Sequence, residues 1–390
     1  MTLYGFDFKL IELIVFAILF ASFIYQIYYY LRYTQAVIRL KKRINKNKVT
    51  FHKPASPIPV SVIICAKDEI SNLRRYLTFV LEQDYPDFEV IVVNDGSGDD
   101  TDDLLQELKK TYPKLRTTFV PAGATNMSTK KLALTLGIKA AKNDWLLFTD
   151  ADCMPEDKSW ISKMAQNFNP EIEFVLGYGA YFNKKGFINK LITYDTLFNA
   201  LQYLGFAIAH KPYMGVGRNM AYRKDVFYRQ KGFASTLHLR SGDDDLMVNH
   251  AATKRNTQIE ISADSVTWSE PEKNFKDWYY QKERHLSVST FYSGISKFRI
   301  TIEPISRALF YISFIATLIF GNLITIATAG LLFIIRFIIQ STIINASAKH
   351  FGDRKYFFNI FTFDILLPLI TLFIMTFGRV GSKAKNIQWK

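Results

Sequence analysis

Two carboxylates one residue apart, Asp150 and Asp152, follow the apolar run 145–148. A short apolar run bounded by polar residues predicts a buried strand, so both carboxylates should stand at the end of that strand. Carboxylate oxygens are ligands that Mg²⁺ and Mn²⁺ prefer, and such ions usually complete their coordination with water and phosphate oxygens. Aspartate is also common in turns, and on spacing alone a solvated turn is the commoner explanation. The neighbouring segments favour a cation site over a solvated turn.

Those segments alternate between two patterns. The apolar runs that begin at Val60 and Val90 predict strands buried on both faces of a parallel sheet. Segments 70–83, 99–112 and 130–141 predict helices between the strands. This alternation predicts a doubly wound α/β sheet, which binds ligands beyond the carboxyl ends of its strands. The acidic residues that fall at those ends are Asp68, Glu69, Asp95, Asp150 and Asp152.

Six motifs along the chain resemble those of membrane-embedded family 2 glycosyltransferases, such as ceramide glucosyltransferases and polysaccharide synthases. They are the strand and acidic turn 60–69, Asn94-Asp95-Gly96-Ser97, the segment 129–134, the Asp150 and Asp152 pair, and the acidic run 243–245 followed by 281–285. The resemblance implies a GT-A, Rossmann-like domain that binds a nucleotide-sugar. It also implies that Asp152, assisted by Asp150, holds Mn²⁺ or Mg²⁺.

The same resemblance assigns the remaining roles by position. Asp95 matches the family's uracil-reading aspartate, and Lys130 lies in its G-K-x-x-A-L segment, where Thr129 replaces the glycine. The residues expected to bind the donor are Ala66, Glu69, Asp95, Lys130, Asp150, Gln281 and Arg284. Asp95 is also typical of a plain turn, and Lys130 of an exposed surface.

The run Asp243-Asp244-Asp245 matches the acidic motif that carries the family's general base. Pairing Asp243 with the family's glutamate makes Asp244 the base, whereas a shift of one residue selects Asp243. We assign Asp244 as the catalytic base, with Asp243 as its neighbour in the catalytic pair. A run of aspartates is also typical of a helix N-terminus or a solvated face.

The segment 281–285 matches the family's Q-x-x-R-W motif, with His285 in place of the tryptophan. Any role that depends on stacking by that indole is therefore not expected here. Arg284 is retained, and its planar guanidinium can bond two oxygens of a diphosphate at once. Gln281 is expected to orient the same segment. The alternative is that 281–284 is an ordinary charged surface of a helix, which would have the same sequence pattern. The glycine-rich turn 215–219 is a candidate for the acceptor side.

Apolar segments outside this domain predict membrane crossings. Segments 10–31, 305–346 and 356–377 are long and mostly apolar, and the second is interrupted at Gly321-Asn322 and at Arg336. We expect an N-terminal anchor, a helical hairpin and one further segment. Asp364 and Pro368 favour a re-entrant or interfacial course for the last segment. The predicted divisions are the anchor at 1–33, a basic juxtamembrane linker at 34–58, the glycosyltransferase domain at 59–300, transmembrane or interfacial helices at 301–380, and a basic tail at 381–390.

Basic residues crowd the stretch after the first apolar segment, which places that stretch and the catalytic domain on the cytoplasmic side of the cell (inner) membrane. These residues are Arg39, Lys41, Lys42, Arg43, Lys46, Lys48 and Lys53. The tail 379–390 is expected on the same side. Much of the net charge of +14 lies beside predicted crossings, where it can meet anionic lipids, so nucleic acid is not an expected partner.

Two further segments, 189–210 and 275–291, mix aromatic, apolar and basic residues, as helices lying on the bilayer surface do. Core helices share this composition. The chain has only two cysteines, Cys65 and Cys153, which favours a reducing compartment over a disulfide framework.

The sequence therefore predicts a multi-pass, inverting membrane glycosyltransferase. Its donor would be a nucleotide-sugar, favoured as a UDP-sugar, and its acceptor a lipid or a glycan at the cytoplasmic face. Because a single apolar segment precedes the catalytic domain, a lipid acceptor or short product is preferred to a translocated polymer. The alternatives are an inactive nucleotide- or glycan-sensing scaffold and a metal-dependent nucleotidyl or phosphoryl transferase. Sequence alone does not indicate an oligomeric state.

Overall fold

A computed structural model describes residues 2–3, 6–7, 10–49, 51, 56–121, 129–237, 239 and 241–378. Its strands are β1 (Thr2–Leu3), β2 (Phe6–Asp7), β3 (Val60–Ala66), β4 (Phe88–Asn94), β5 (Leu115–Phe119), β6 (Trp145–Phe148), β7 (Cys153–Pro155), β8 (Phe174–Leu176), β9 (Gly179–Tyr181), β10 (Met220–Arg223), β11 (Thr257–Ile259) and β12 (Thr267–Ser269).

Its helices are α1 (Leu10–Tyr29), α2 (Ala36–Asn45), α3 (Ile70–Leu81), α4 (Thr101–Thr111), α5 (Thr129–Ala140), α6 (Trp160–Ala165), α7 (Phe187–Ile208), α8 (Lys224–Arg229), α9 (Asp245–Ala251), α10 (Phe275–Ser289), α11 (Gly294–Phe320), α12 (Leu323–His350) and α13 (Asn359–Phe377). The predicted helices 70–83, 99–112 and 130–141 correspond to α3, α4 and α5, with ends that differ by no more than two residues.

The central sheet has seven strands in the order β11-β8-β10-β6-β3-β4-β5. Strands β6, β3, β4 and β5 run parallel to one another, whereas β10 is antiparallel to both β6 and β8. A second sheet of three strands has the order β7-β12-β9. The predicted α/β class is confirmed, with an antiparallel strand inserted beside the parallel half.

The central strands are buried on both faces, as their unbroken apolar sequence predicts. In β3, Val62 and Ile64 pack into the core beneath α3 and α4, while Ile63 and Cys65 point into the core beside α5 and α7. Alternating side chains of one strand therefore stabilise two separate hydrophobic cores. The carboxyl ends of the parallel strands remain open between these cores.

The N-terminal helix is longer than the predicted anchor. After α1, a π-helical turn at Tyr30–Thr34 leads directly into α2, which carries basic residues that the sequence predicts in a linker. The turn packs against α7, where a Cβ added to Gly205 would lie 2.2 Å from the carbonyl oxygen of Tyr33. The close approach of two backbones therefore requires glycine at this position.

The C-terminal apolar region forms a helical hairpin and one further helix, as predicted. The hairpin turns at Gly321 and Asn322, and the Asn322 side chain accepts hydrogen bonds from the first amides of α12. Arg336, which the sequence predicts as a second interruption, instead lies within the continuous helix α12. In the described part of the chain, four helices are long and apolar enough to cross a membrane: 10–45, α11, α12 and α13.

Asp364 and Pro368 lie within one continuous helix of 19 residues, α13. Helix α7 is largely buried, which favours the core alternative over a position on the bilayer surface. Helix α10 is more exposed and leads to α11 through a short turn. The tail 379–390 lies outside the described residues, so its predicted side of the membrane stays a prediction.

Candidate functional site

The carboxyl ends of β6, β3 and β4 lie side by side and bring separate motifs to one edge of the sheet. Ala66 ends β3, and its carbonyl oxygen accepts a hydrogen bond of 2.8 Å from the amide of Asp95, just after β4. Ala66 and Asp95 are both buried. Asp150 follows the next strand, β6. The strand order thus assembles one edge from residues far apart in sequence.

A cleft of about 360 Å³ opens at this edge, and its charged lining combines one lysine with three aspartates. Lys130, on α5, places its Nζ 3.3 Å from Asp150 Oδ1 and 3.7 Å from Asp243 Oδ2. Asp244 lines the same cleft. The structure therefore brings together four residues that the sequence predicts as donor-binding or catalytic.

Asp152 lies beside this cleft. Its Oδ2 accepts a hydrogen bond of 2.5 Å from Ser269 Oγ on β12. Asp150, Asp152 and Cys153 each offer a ligand atom, and these atoms lie within 4.8 Å of one another. The two carboxylates fit a hard divalent cation. Burial raises the pKa of the Cys153 thiol far above its usual value. Hard divalent cations prefer oxygen to sulfur ligands, so the two carboxylates are the expected ligands of this group.

The two carboxylates of this pair differ electrostatically. Burial alone would raise the pKa of Asp150, but Lys130 and Arg218 outweigh it and hold that pKa below its usual value. Burial and the charge of Asp150 together raise the pKa of Asp152. A divalent cation would relieve this repulsion, so the pair is suited to binding one.

The three consecutive aspartates separate in space. Asp244 caps α9: its Oδ1 accepts from the Asp245 amide at 2.8 Å and its Oδ2 accepts from the Gly217 amide at 2.7 Å. Burial and Asp243 raise its pKa. Asp245 turns away from the cleft and accepts a 2.7 Å hydrogen bond from the Tyr292 hydroxyl. Both alternatives for the base, Asp243 and Asp244, therefore face the cleft, whereas Asp245 does not.

The segment before this run is held by a buried lysine. Lys131, adjacent to Lys130, is fully buried and donates to the carbonyl oxygens of Thr236 at 2.6 Å and Leu239 at 2.9 Å. Burial lowers its pKa to about 8. Consecutive lysines on α5 thus have different tasks, one facing the cleft and one fixing the loop that leads to the aspartates.

Gln281 and Arg284 lie on α10, at the side of the cleft. Gln281 Oε1 accepts a hydrogen bond of 3.2 Å from the Tyr181 hydroxyl. Arg284 is one of the cations that hold down the pKa of Asp150, so its charge reaches the cleft. His285, which replaces the family's tryptophan, is exposed.

Glu69 begins α3 on the other side. Its Oε2 accepts a 2.6 Å hydrogen bond from the Asn72 side chain. Burial raises the pKa of Glu69, and the charges of Asp152 and Asp150 add to that rise. Glu69 therefore lies within electrostatic reach of the paired carboxylates, although no direct contact joins it to them in the described residues.

Several residues at the site were not assigned a role from sequence. Ser269 and Tyr181 come from the second sheet, and the sequence around them contains no motif that indicates a role at the site. Arg218 lies in the glycine-rich turn 215–219, and that turn is the sequence feature that could have indicated its place at the site. That turn was a candidate for the acceptor side; in the structure its Gly217 amide binds Asp244.

Known proteins resemble this chain in sequence and in fold. Residues 61–230 match the model of the family described as Glycosyl transferase family 2. Over 139 residues, the chain is 30% identical to a poly-beta-1,6-N-acetyl-D-glucosamine synthase from Staphylococcus epidermidis, covering 35% of this chain and 32% of that protein. The protein of the same name from Staphylococcus aureus (strain COL) is 28% identical over 138 residues, covering 35% and 32%. The chain thus matches about a third of the length of these curated relatives.

Among solved structures, a mannosyltransferase from Pyrobaculum calidifontis in complex with GDP-Man and Mn²⁺ superposes with a TM-score of 0.55. The match covers 88% of this chain and 99% of that one, at 18% sequence identity. At this identity the likeness concerns the fold, which is that of GT-A glycosyltransferases.

Proposed function

We propose that this chain transfers a sugar from a nucleotide-sugar, favoured as a UDP-sugar, to a lipid or glycan acceptor. The match of residues 61–230 to the family 2 glycosyltransferase model supports this proposal. One observation carries the proposal: a single cleft joins Lys130, Asp150, Asp243 and Asp244 at the carboxyl edge of the sheet, with Asp152 beside it. Ligands of doubly wound sheets bind at this edge.

On the donor side, the leaving group is a nucleoside diphosphate, whose negative charge grows as the bond to the sugar breaks. Asp152 and Asp150 would hold Mn²⁺ or Mg²⁺, and a bound ion of this kind stabilises that charge as a Lewis acid. Arg284 adds a cation that can bond phosphate oxygens directly. Asp95, Ala66 and Glu69 would position the nucleotide at the neighbouring strand ends.

On the acceptor side, Asp244 would accept the proton of the acceptor hydroxyl. The hydroxyl oxygen then bonds to the anomeric carbon while the bond from that carbon to the diphosphate oxygen breaks, which inverts the anomeric configuration. Hydrogen bonds from the Gly217 and Asp245 amides fix the orientation of the Asp244 carboxylate. A positioned base of this kind contributes about 10²–10⁴-fold in rate.

The apolar helices around the domain and the names of the matched relatives support the choice of acceptor. Four apolar helices support membrane association, and the basic residues on α2 support a cytoplasmic catalytic face at the inner membrane. The matched relatives are named as synthases of an N-acetyl-D-glucosamine polymer, which supports a glycan product. A lipid acceptor is supported by the proximity of the domain to the apolar helices.

The test is turnover by the purified protein in lipid, with a panel of nucleotide-sugars and Mn²⁺ or Mg²⁺. We expect release of a nucleoside diphosphate and an inverted product. Asp244→Asn should lower turnover by at least about a hundredfold, since the amide cannot accept the proton. The control is Asp103→Asn, an exposed aspartate on α4.

Other outcomes would replace this proposal. Release of pyrophosphate or phosphate would indicate a nucleotidyl or phosphoryl transferase. Nucleotide binding with no turnover of any donor would indicate a sensing scaffold. If Asp244→Asn retains full turnover while Asp243→Asn loses it, the base is Asp243.

A further inference from the structure

Arg218 occupies the turn between α7 and β10, at the boundary between the two halves of the proposed site. The residue before it, Gly217, donates its amide to Asp244. The carbonyl oxygen of Arg218 accepts a 3.0 Å hydrogen bond from Thr267 Oγ1 on β12. The backbone of Arg218 is thus tied both to the proposed base and to the strand whose Ser269 holds Asp152.

The next residue makes this position rigid. Asn219 is fully buried, and its side-chain amide donates to the carbonyl oxygens of Tyr178 at 2.9 Å and Ser265 at 2.7 Å. Its Oδ1 accepts from Trp160 Nε1 at 3.0 Å. A side chain anchored at every polar atom leaves little freedom to the backbone of Arg218.

The guanidinium of Arg218 is preorganised in the same way. Its Cζ lies 4.1 Å from the centre of the Tyr181 ring, and Nη1 donates weakly to the Ala180 carbonyl oxygen at 3.4 Å. A Cβ added to Gly179 on β9 would lie 3.0 Å from Arg218 Cβ, so a residue without a side chain is needed where β9 passes the arginine. Stacking on a tyrosine face holds a guanidinium flat while leaving its outer N–H groups available.

Arg218 forms no ion pair within 4 Å in the described part of the chain, and neither does Arg284. Lys130, in contrast, has two carboxylates near it. Both arginines nevertheless act on Asp150 through their charge. A divalent cation would balance Asp150 and Asp152, and neither arginine is neutralised by an ion pair of its own in the described residues. The diphosphate of a nucleotide-sugar carries two negative charges.

We propose that Arg218 binds the donor diphosphate together with Arg284. This rests on the proposed function and adds to it a second phosphate ligand from the turn that also orients the base. Tyr181 connects the two arginines: its ring supports Arg218, and its hydroxyl donates to Gln281, one helical turn before Arg284. A single turn would therefore align the leaving group with the attacking hydroxyl.

The test measures two affinities that should change in opposite directions in Arg218→Gln. With Mn²⁺ present, binding of UDP should weaken about ten- to a hundredfold, as for the loss of hydrogen bonds to a charged group, while binding of UMP should weaken less. GDP and GMP are titrated in parallel. Without nucleotide, binding of Mn²⁺ alone, followed by its electron paramagnetic resonance signal, should tighten, because a cation near its carboxylates has been removed.

Arg218→Lys keeps the charge and loses the planar fork, so it should retain wild-type Mn²⁺ affinity and bind UDP with intermediate strength. The matched control is Arg223→Gln, an arginine at the end of β10 that pairs with Asp225 at 3.1 Å on the surface; it should change neither affinity. If Arg218→Gln does not fold, Arg218→Lys alone carries the comparison of UDP with UMP.

Unchanged UDP affinity in Arg218→Gln, or an equal loss for UDP and UMP without tighter Mn²⁺ binding, would overturn the assignment. Those results leave the proposed function intact as long as the wild type binds UDP or GDP and releases it from a donor. If the wild type binds neither nucleoside diphosphate, the proposed function fails, and the role of Arg218 fails with it.

Discussion

Lys130 in the cleft and Arg336 among the apolar helices both face carboxylates, but at different distances and degrees of exposure. Lys130 lies 3.3 Å and 3.7 Å from its two carboxylates, and the side chain of Asp150 is 34% exposed. Arg336 lies 2.7 Å from Asp364, and those side chains are 2% and 0% exposed. Pairs of a cation and a carboxylate thus form an open arrangement in the cleft and a closed one among the apolar helices.

We call these regions the cleft cluster and the bundle cluster. The cleft cluster comprises Lys130, Asp150, Asp152, Arg218, Asp243, Asp244 and Arg284. The bundle cluster comprises Gln26 on α1, Glu303, Arg307 and Tyr311 on α11, Arg336 and Gln340 on α12, and Asp364 on α13.

In the bundle cluster, one carboxylate receives hydrogen bonds from four side chains. Asp364 accepts from Arg307 at 3.1 Å, from Arg336 and Tyr311 at 2.7 Å each, and from Gln340 at 2.8 Å. Arg307 also donates to Glu303 at 2.7 Å. Arg336 also donates to Gln26 on α1 at 2.9 Å. Ionisable groups among apolar helices are costly unless they are paired, so this network holds four helices in register.

The comparison indicates that the cleft cluster can bind a ligand, whereas the bundle cluster stabilises the packing of the helices. Charges that are completely surrounded by protein partners have nothing left to offer a ligand, and they stabilise one arrangement of the helices. Charges at longer distances, with arginines that lack ion pairs in the described residues, can exchange water for a charged substrate. Changes in the cleft cluster should therefore affect turnover, and changes in the bundle cluster should affect folding.

The largest effect is expected from metal removal, which tests the cleft side of the comparison. EDTA should lower turnover by at least about a hundredfold, because a bound cation supplies several kcal/mol to the transition state. The thermal unfolding midpoint should change little. Added Mn²⁺ should restore the wild type but not Asp152→Ala.

The control for that experiment is Asp103→Ala, which should respond to Mn²⁺ like the wild type. Full turnover in EDTA would remove the metal from the proposed site. A large fall in the unfolding midpoint on EDTA addition would mean that the cleft cluster also holds the fold, and the contrast with the bundle cluster would be lost.

A smaller effect, on stability, is expected when the bundle cluster is broken. In Asp364→Asn, Arg307 keeps Glu303 as a carboxylate partner, whereas Arg336 loses the one carboxylate that it pairs with in the described network. Loss of one partner of a buried pair costs about 3–5 kcal/mol. The free energy of unfolding in detergent measures this. Turnover per folded molecule should remain close to that of the wild type.

Thr376→Val on the same helix is the matched control, since the Thr376 hydroxyl is exposed and bonds only to its own helix in the described structure. Wild-type stability in Asp364→Asn with lost turnover would show that the bundle cluster belongs to the catalytic machinery.

An effect confined to the pH dependence of stability concerns Asp245, a buried carboxyl beside the cleft that is bonded to Tyr292. Burial and Asp244 raise its pKa to about 8, from 3.8 for an unperturbed group. Between these values the folded protein binds a proton that the unfolded chain has released, so this group makes stability fall as the pH rises from about 4 to about 8.

Asp245→Asn keeps an acceptor for Tyr292 and removes the titration. The variant should therefore lose less stability than the wild type over this pH range, as judged from unfolding midpoints measured at intervals of pH. Parallel pH profiles for both proteins would show that Asp245 is ionised in the folded state.

Local sequence determined the elements that carry the site. The apolar run of β3, the helical spacing of α3 and the hairpin break at Gly321 and Asn322 all follow from short-range patterns, because burial periodicity and turn chemistry act between neighbouring residues. The order of the motifs likewise predicted the family whose model matches residues 61–230. These features need no knowledge of distant contacts.

Long-range contacts decided what each charge does. Asp243, Asp244 and Asp245 are identical in type and adjacent in sequence, yet only packing against Gly217 and Tyr292 separates two cleft residues from a closed one. Arg336 reads as a helix interruption until Asp364 is placed beside it. Sequence thus determined which charged groups the protein has and on which elements they lie. The tertiary structure alone decided their partners and solvent exposure, since both depend on residues that meet only in the folded chain.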